Sequence, residues 1–587
     1  MTQVPFATPF TDVLCTNYTP SSEDKETIKT LLVAPLAQLT QFNDKISQLQ
    51  HVLDSLKQER DVLDTAIKEH TRLLSPIHSV PDDVLRDIFC ACLPDTHNAV
   101  MSCDEAPLIL GLVCSRWRSV AYSTPLLWAT LHIPLPSPIS LPTDLNQPLI
   151  DHNLYDSRLE KHCTAIHNWL TRSGTCPLSI SCIPANHSTA YDEARADQAR
   201  CRRERYMKTI LPFSHRRYRF ELSISIRFEA INNALTLLSP ASLPILTHLR
   251  LIFSPAITRA VDDGEGRAVH TLIQAPQLRI LEIIPMAFSL RNVQRDWSRL
   301  SSIALVQSLH LPSPIGNFST TEEVHYILTK CSNLSNRCTL YICNTSSEPA
   351  IQPTGSINLP YLRHLNIVEF SPLMNSSLRP LFECFSDISS LRSISYQNRQ
   401  YVPHIKGESL ISLLSHAGDQ ITHLCTTFNK YTTADLKTIF SLVPNLINLT
   451  ENNPFNNALV YGTNVYPQVF SEDEDLIFFD VLTSSSGNTT ILCPHLQSME
   501  VINTAELDDA RILSFIQRRM AAVHSHGIDP LRKFRATFKR PMEVDIRAAL
   551  REYVDSGQLE LNISYIPEQR YTEPQTFLDP RDGLMES

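Results

Sequence analysis

Histidines, cysteines and paired acids are the residues with which this chain of 587 residues could do chemistry, and their spacing argues against most of it. The 21 histidines are spread evenly, and none sits in a nucleophile or metal motif. H-E-x-x-H, G-x-S-x-G, G-x-x-x-x-G-K-[ST] and G-x-G-x-x-G are all absent. Glycine stands at only 13 residues, whereas backbones that cradle phosphates or dinucleotides rely on it for close approach. The 15 cysteines include no C-x-x-C, and the closest pairs are Cys90 with Cys92 and Cys338 with Cys343. Structural zinc needs ligands at short, repeated spacings, so reduced and mostly buried thiols are the expectation, with no metal and no cofactor.

Charge and hydropathy narrow the partners. A net charge of −10 argues against general nucleic-acid binding, which needs excess positive charge. The opening MTQVPFATPF lacks a basic stretch followed by an apolar run, and no stretch approaches the length that spans a bilayer. A cytoplasmic and/or nuclear protein without a membrane partner is therefore expected. Between Arg195 and Arg219 lie nine Lys or Arg against two acids. That run reads either as a nuclear address or anionic-ligand patch, or as a solvated helix face and loop; the solvated face is the reading taken.

The elements that would position a binding surface are easier to read. After a polar tail (1–23), Leu39, Phe42, Ile46, Leu49, Leu53, Leu56, Leu63, Ile67 and Leu74 fall on alternating steps of three and four, interrupted only by Arg60 and His70. This is coiled-coil register on a helix spanning 24–74. It serves either to dimerise the chain or dock a partner helix through 39–74, or to pack back on its own chain. Ser75-Pro76 ends it. Pro81 then opens a short helix with Asp82 and Asp83 at its positive end, and Val84, Leu85, Ile88, Phe89 and Leu93 on an apolar face. After a loop (94–107), a second apolar stretch carries Leu108, Leu110, Leu112, Val113, Trp117, Val120 and Ala121, closed by Pro125, Leu127, Trp128 and Leu131. So small a helical unit leaves apolar surface uncovered, which predicts a partner or a neighbouring domain.

From 134 to 230 the chain reads as a linker and first α/β units, with an amphipathic helix over 158–172 and a strand over 177–183. Beyond it one frame recurs: LPILTHLRLIF (243–253), APQLRILEII (275–284), LPYLRHLNIV (359–368), SSLRSISY (389–396), VPNLINLTEN (443–452), CPHLQSMEVI (493–502) and DPLRKFRATF (529–538). The leading positions 334, 362, 391, 421 and 446 stand 25 to 30 residues apart. Helix-like segments such as Glu322–Lys330, Gly407–Ala417 and Ala434–Leu442 lie between them. A strand plus a helix at that period is the pattern of a leucine-rich-repeat solenoid, here over 231–566. The asparagine ladder of the sharpest repeats is missing, so the array is irregular. Acidic Ser471–Asp475 reads as an inserted surface loop, and 567–587 as a tail.

SPIHSVPDDVLRDIFCACLP (75–94) followed by PLILGLVCSRWRSVAYSTPLLWATLHI (107–133) resembles the F-box, especially that of the large fungal F-box families. Those proteins commonly set a heptad helix ahead of the box and irregular leucine-rich repeats after it. Val80 replaces the usual leucine before the proline, and the loop between the two halves is long. The resemblance implies an α/β chain: an N-terminal long helix, a small helical F-box over 75–133, then the irregular solenoid. It implies a non-enzymatic substrate receptor of an SCF-type ubiquitin ligase, holding a protein target on the repeats. Pro81, Leu85, Ile88, Phe89, Val113 and Trp117 would bind the Skp-type adaptor, which links to a cullin. The tryptophans Trp117 and Trp128 fit the box's own core equally well. Rival readings are a coiled-coil and repeat scaffold without a ligase role, and a hydrolase using a histidine with a nearby Asp or Cys.

Overall fold

The computed structural model describes residues 8–14, 16–74, 76–135, 152–184, 193–224, 235, 238–253, 266–284, 289–306, 319–343, 355–370, 377–398, 407–428, 431–452, 477–483, 491–502, 508–538 and 540–565. The acidic stretch at 471–475 and the tail at 567–587 lie outside the described residues. By contacts the chain divides into two units, Met1–Asp87 and Ile88–Ser587.

The first unit is dominated by helix α1, Ser22–Leu73. A capping box starts it: the Asp24 amide donates to Ser21 Oγ at 3.2 Å, and the Ser21 amide donates to the Asp24 carboxylate at 3.0 Å. The helix continues through Pro35, which lies before the heptads begin, lacks the amide of an i→i−4 hydrogen bond and crowds the preceding turn. Every apolar heptad position from Leu39 to Ile67 is at least half exposed. Helix α2, Asp82–Ala91, carries the boundary between the two units within it.

In the second unit, helices α3 (Leu110–Val113) and α4 (Ser115–Tyr122) lead to strand β1 (Thr130–Leu135). Helix α5 (His152–Arg172), β2 (Leu178–Pro184), α6 (Glu193–Ile210) and β3 (Arg217–Ile224) follow. Next come β4 (His248–Phe253), α7 (Gly266–Ile273), β5 (Ile280–Ile284), β6 (Ser302–Leu305), α8 (Thr321–Lys330) and β7 (Arg337–Cys343). A short pair, β8 (Ile357–Asn358) and β10 (Phe385–Asp387), flanks β9 (His364–Phe370) and α9 (Arg379–Phe382). The chain goes on through β11 (Ser393–Asn398), α10 (Glu408–Ala417), β12 (His423–Thr426), α11 (Thr433–Leu442) and β13 (Asn448–Asn452). Helix α12 (Ile477–Thr483), β14 (Ser498–Ile502), α13 (Asp509–His526), β15 (Lys533–Phe538), α14 (Ile546–Ala549), α15 (Arg551–Asp555) and β16 (Glu560–Tyr565) complete it. The chain is thus α/β, with a long N-terminal helix and one large parallel sheet.

Among the described residues that sheet has fourteen strands, added in chain order from β1 to β16, while β8 and β10 pair with each other. Each recurring sequence frame supplies a strand. Its leading residue (Leu246, Leu278, Leu334, Leu362, Leu391, Ile421, Leu446, Leu496 or Leu531) is fully buried. The residue after the leading one offers a single carbonyl to two amides of the next frame. Arg279 and Ile280 both donate to Thr247 O at 2.9 Å, Thr422 and His423 to Arg392 O, and Ile447 and Asn448 to Thr422 O. Strand side chains then alternate, as in Leu249, Leu251 and Phe253 inward against His248, Arg250 and Ile252 outward. Parallel strands require crossovers, and the helices of those crossovers touch in succession, α9 on α10, α10 on α11, α11 on α12 and α12 on α13.

Buried and half-buried arginines finish the helix ends. Arg217, with no exposed surface, donates to Ile210 O at 2.8 Å at the end of α6. Arg295 donates to Ile273 O and to Leu278 O beyond α7. Arg519 reaches Leu482 O in α12 and the carbonyls of Leu492 and Cys493. Each satisfies carbonyls that a helix end or tight turn leaves without amide partners. Burial pushes all three guanidiniums down to about 10, so they stay cationic at neutral pH.

The structure refines three sequence expectations. The sheet starts at Thr130 and takes in the strand read at 177–183 with the first α/β units, because β1 pairs with β2, β2 with β3 and β3 with β4. Their segments lack the leading leucine that marks the later frames. The basic run at 195–219 is not simply a solvated face: Arg202, Arg203 and Arg217 are buried, and Arg202 Nε meets the Asp156 carboxylate at 3.0 Å. The 94–107 segment is a loop, as read, and is held in place by specific hydrogen bonds. Asn98 exchanges hydrogen bonds with the side chains of Ser179 and Ser181, and Ala99 O accepts from the His132 amide at 2.8 Å. The segment therefore covers the β1 edge of the sheet, which would otherwise be open.

Two positions put these contacts to the test. A Cβ on Gly418 would collide with the backbone carbonyl of Leu442 in α11, so Gly418→Ala should destabilise the fold by at least about 1–3 kcal/mol in urea titrations. Asp509 at the start of α13 is fully buried, bound to Arg540 at 2.6 Å and to the amides of Glu543 and Val544 at 2.8 and 3.0 Å. Burial alone would raise its carboxyl, but Arg540 and the two amides together hold it below the usual range. Its stabilisation is thus present above the unfolded carboxylate pKa of about 3.9 and is lost as pH falls through the folded value. Asp509→Asn should cost about 3–5 kcal/mol at pH 7 in urea unfolding, and the gap from wild type should close as the pH falls below the ordinary carboxylate range.

Candidate binding surfaces

The segment between α2 and β1 is assembled around two aromatic contacts. Leu85 and Phe89 of α2 have no exposed surface, and the Phe89 ring lies 4.8 Å from the half-buried ring of Trp117 in α4. Cys114, extended between α3 and α4, caps α4 by accepting the Trp117 amide at its Sγ, 3.4 Å away. Arg118 Nε ties α4 back to Gly111 O in α3 at 2.8 Å. Trp128 is fully buried, donates Nε1 to Ala121 O at 2.9 Å and packs edge-on to Trp169 of α5 at 4.8 Å. Trp128 therefore belongs to the core, and it joins the box to the first crossover helix. The Arg172 guanidinium stacks over Trp128 and Tyr122, at 5.0 and 4.7 Å from the ring centroids.

Of the six residues expected at an adaptor surface, Pro81, Ile88 and Val113 present themselves to solvent, and Trp117 does so partly. Leu85 and Phe89 do not. They lie four residues apart on one helical stripe, as the spacing implies, but that stripe points inward, while Val84 and Ile88 on the next stripe point outward. Helical period alone identifies which residues share a face and not which face is covered. Ile109 and Leu112 add to the exposed apolar set, at 41 and 60% of full exposure, with Val113 at 59%. Such a group of apolar side chains is what a protein partner would cover.

A second surface is the outward face of the sheet. One row of register partners reads Glu221, Arg250, Glu282 and Ala304 from β3 to β6. It continues through Thr339, Asn366, Ser395, Cys425 and Thr450 to Glu500, Arg535 and Asn562. Its ends are charged: Arg250 lies between Glu221 and Glu282, at 3.9 and 3.4 Å. Its middle carries no formal charge. Burial pushes the Cys425 thiol up to about 11, so it is protonated at neutral pH. In the adjoining row His423 Nε2 meets Asn448 Nδ2 at 2.8 Å, and burial and His364 lower the His423 pKa, so its ring is neutral at pH 7. This floor of small hydrogen-bonding groups suits a polypeptide better than a polyanion.

The interior thiols are not poised for nucleophilic chemistry: burial holds Cys182, Cys331 and Cys493 near 12. Among the described residues no three His, Cys, Asp or Glu side chains gather as a metal site. No described helix is long and apolar enough to cross a membrane.

No family model matches the chain, and no curated protein matches it. Among solved structures, the crystal structure of a Rad7 and Elc1 complex in yeast is similar over 74% of this chain and 94% of that one, at 14% identity and a TM-score of 0.36. A likeness that slight carries no functional argument.

The two classes of box residue should separate in stability measurements. Leu85→Ala and Phe89→Ala should each cost about 2–5 kcal/mol in denaturant unfolding. Leu112→Asp and Val113→Asp, on exposed side chains, should stay within about 0.5 kcal/mol of wild type.

Proposed function

We propose that this chain is a substrate-recognition subunit of an SCF-type ubiquitin ligase, in which the F-box-like segment binds a Skp-type adaptor and, through it, a cullin. In this reading the sheet and its crossovers form an irregular leucine-rich-repeat solenoid that holds a protein target on its outward face. The chain does no chemistry of its own. Holding a target lysine near a ubiquitin carrier raises the effective concentration of the reacting groups.

The observation that carries the reading is the pairing of two features in one unit. Exposed apolar side chains on the F-box-like helices, Ile88, Leu112 and Val113 among them, lead directly into a parallel sheet one of whose outward rows is uncharged from β6 to β13. The sequential strand order and stacked crossover helices support the solenoid, since each segment buries its apolar side only against its neighbours. The burial of Leu85 and Phe89 recasts their contribution: they are core side chains, and the contact passes to the outward residues.

Purified full-length chain should bind the Skp-type adaptor in calorimetry or pull-down. Anchors at an interface centre typically contribute ~2 kcal/mol or more, so the Leu112→Asp, Val113→Asp double variant should weaken binding by roughly a hundredfold or more with its unfolding midpoint unchanged. A wild-type chain that does not bind the adaptor, or a stable double variant that binds it normally, would overturn the proposal.

A further inference from the structure

We propose that α1 pairs antiparallel with the α1 of a second copy of this chain, centred on His51. The seam is continuous and uncovered: Leu39, Phe42, Ile46, Leu49, Leu53 and Leu56 are 50 to 69% exposed. Two-stranded pairing buries such a seam along the whole overlap, and a heptad repeat keeps it facing its partner.

The charges beside the seam select the orientation and register. In a parallel, in-register pair, Glu59 would face Asp64 of the second copy, twice over, and Arg60 would sit in the seam opposite Arg60. Both arrangements repel. In the antiparallel pair centred on His51, Leu49 faces Leu53, Ile46 faces Leu56, and Phe42 faces Arg60 of the second copy. Lys45 then lies beside Glu59 of the second copy, again twice by symmetry. Sliding the antiparallel pair one heptad toward the C-terminus leaves Lys45 beside Ala66 and Glu59 beside Val52, with no acid for the lysine. Sliding it a second heptad opposes Glu59 to Glu59 and Lys57 to Lys57. The intrahelical ion pairs fit the His51-centred register: they use Asp54 with Lys57, Arg60 with Asp61, and Asp64 with Lys68, leaving Lys45 and Glu59 outside them. The Arg60 guanidinium, which interrupts the apolar seam, gains an aromatic face at Phe42 in place of another cation.

The test uses the full-length chain in sedimentation equilibrium. Wild type should be a dimer at micromolar concentration, and Ile46→Asp with Leu53→Asp should make it a monomer with the sheet's unfolding midpoint unchanged. Glu59→Lys reads the orientation, because the new cation falls beside Lys45 in the antiparallel pair but beside Asp64 in the parallel one. Glu59→Lys should therefore weaken the dimer by roughly fivefold or more, and adding Lys45→Glu should restore it. A monomeric wild type, a dimer that survives Ile46→Asp with Leu53→Asp, or a dimer tightened by Glu59→Lys would each overturn the proposal.

Discussion

One carbonyl accepting two amides from the following frame is the interaction on which the sheet depends. Thr247 O, Arg392 O and Thr422 O each bind a pair of successive amides, so the strands that follow start at a fixed level relative to the last. A slip of one residue would turn Leu249, Leu281, Leu424 and Leu449 outward and bring His248 or Asn448 into the core. The fully buried leading residue anchors the same turn from the inside. Hydrogen bond and apolar anchor thus specify one register, and neither would do so alone.

The ends of the crossovers pose the opposite problem, because helix carbonyls brought into the interior have no amides to meet. Arg217, Arg295 and Arg519 supply donors there while remaining charged. Glu451 plays the complementary part beside β13, accepting the buried Phe428 amide at 2.6 Å. Such groups take the place of the regular polar ladder that the frames lack. They also explain how intervals of unequal length can close onto one sheet: a long side chain reaches across a gap that a fixed ladder could not.

The segment that leads into β1 is continuous with this architecture. Trp128 packs on Trp169, Trp169 Nε1 donates to Thr130 O at 3.1 Å, and Ala99 O accepts the His132 amide of β1. The outward apolar residues of α3 and the polar floor of the sheet accordingly belong to one connected body. A receptor that must present its target at a set distance from an adaptor would need that connection, since effective concentration falls when the linkage is loose.

Elements whose signal is local could be read directly from the chain. The heptads of α1, the helices Thr321–Lys330, Glu408–Ala417 and Thr433–Leu442, and the strands that follow a leading leucine were all legible, because period and turn chemistry reside in neighbouring residues. Strands β1, β3, β6 and β16 were not marked by the frame; they are strands because a neighbour offers a free edge in register. Helical spacing grouped the candidate adaptor residues, but it could not tell that Leu85 and Phe89 are buried while Ile88 and Val113 are exposed. That packing likewise converted part of a basic run into buried clamps, since the worth of Arg217 depends on Ile210 O being within its reach. A residue's type and spacing are properties of the chain, whereas which side of it meets water is a property of everything packed around it.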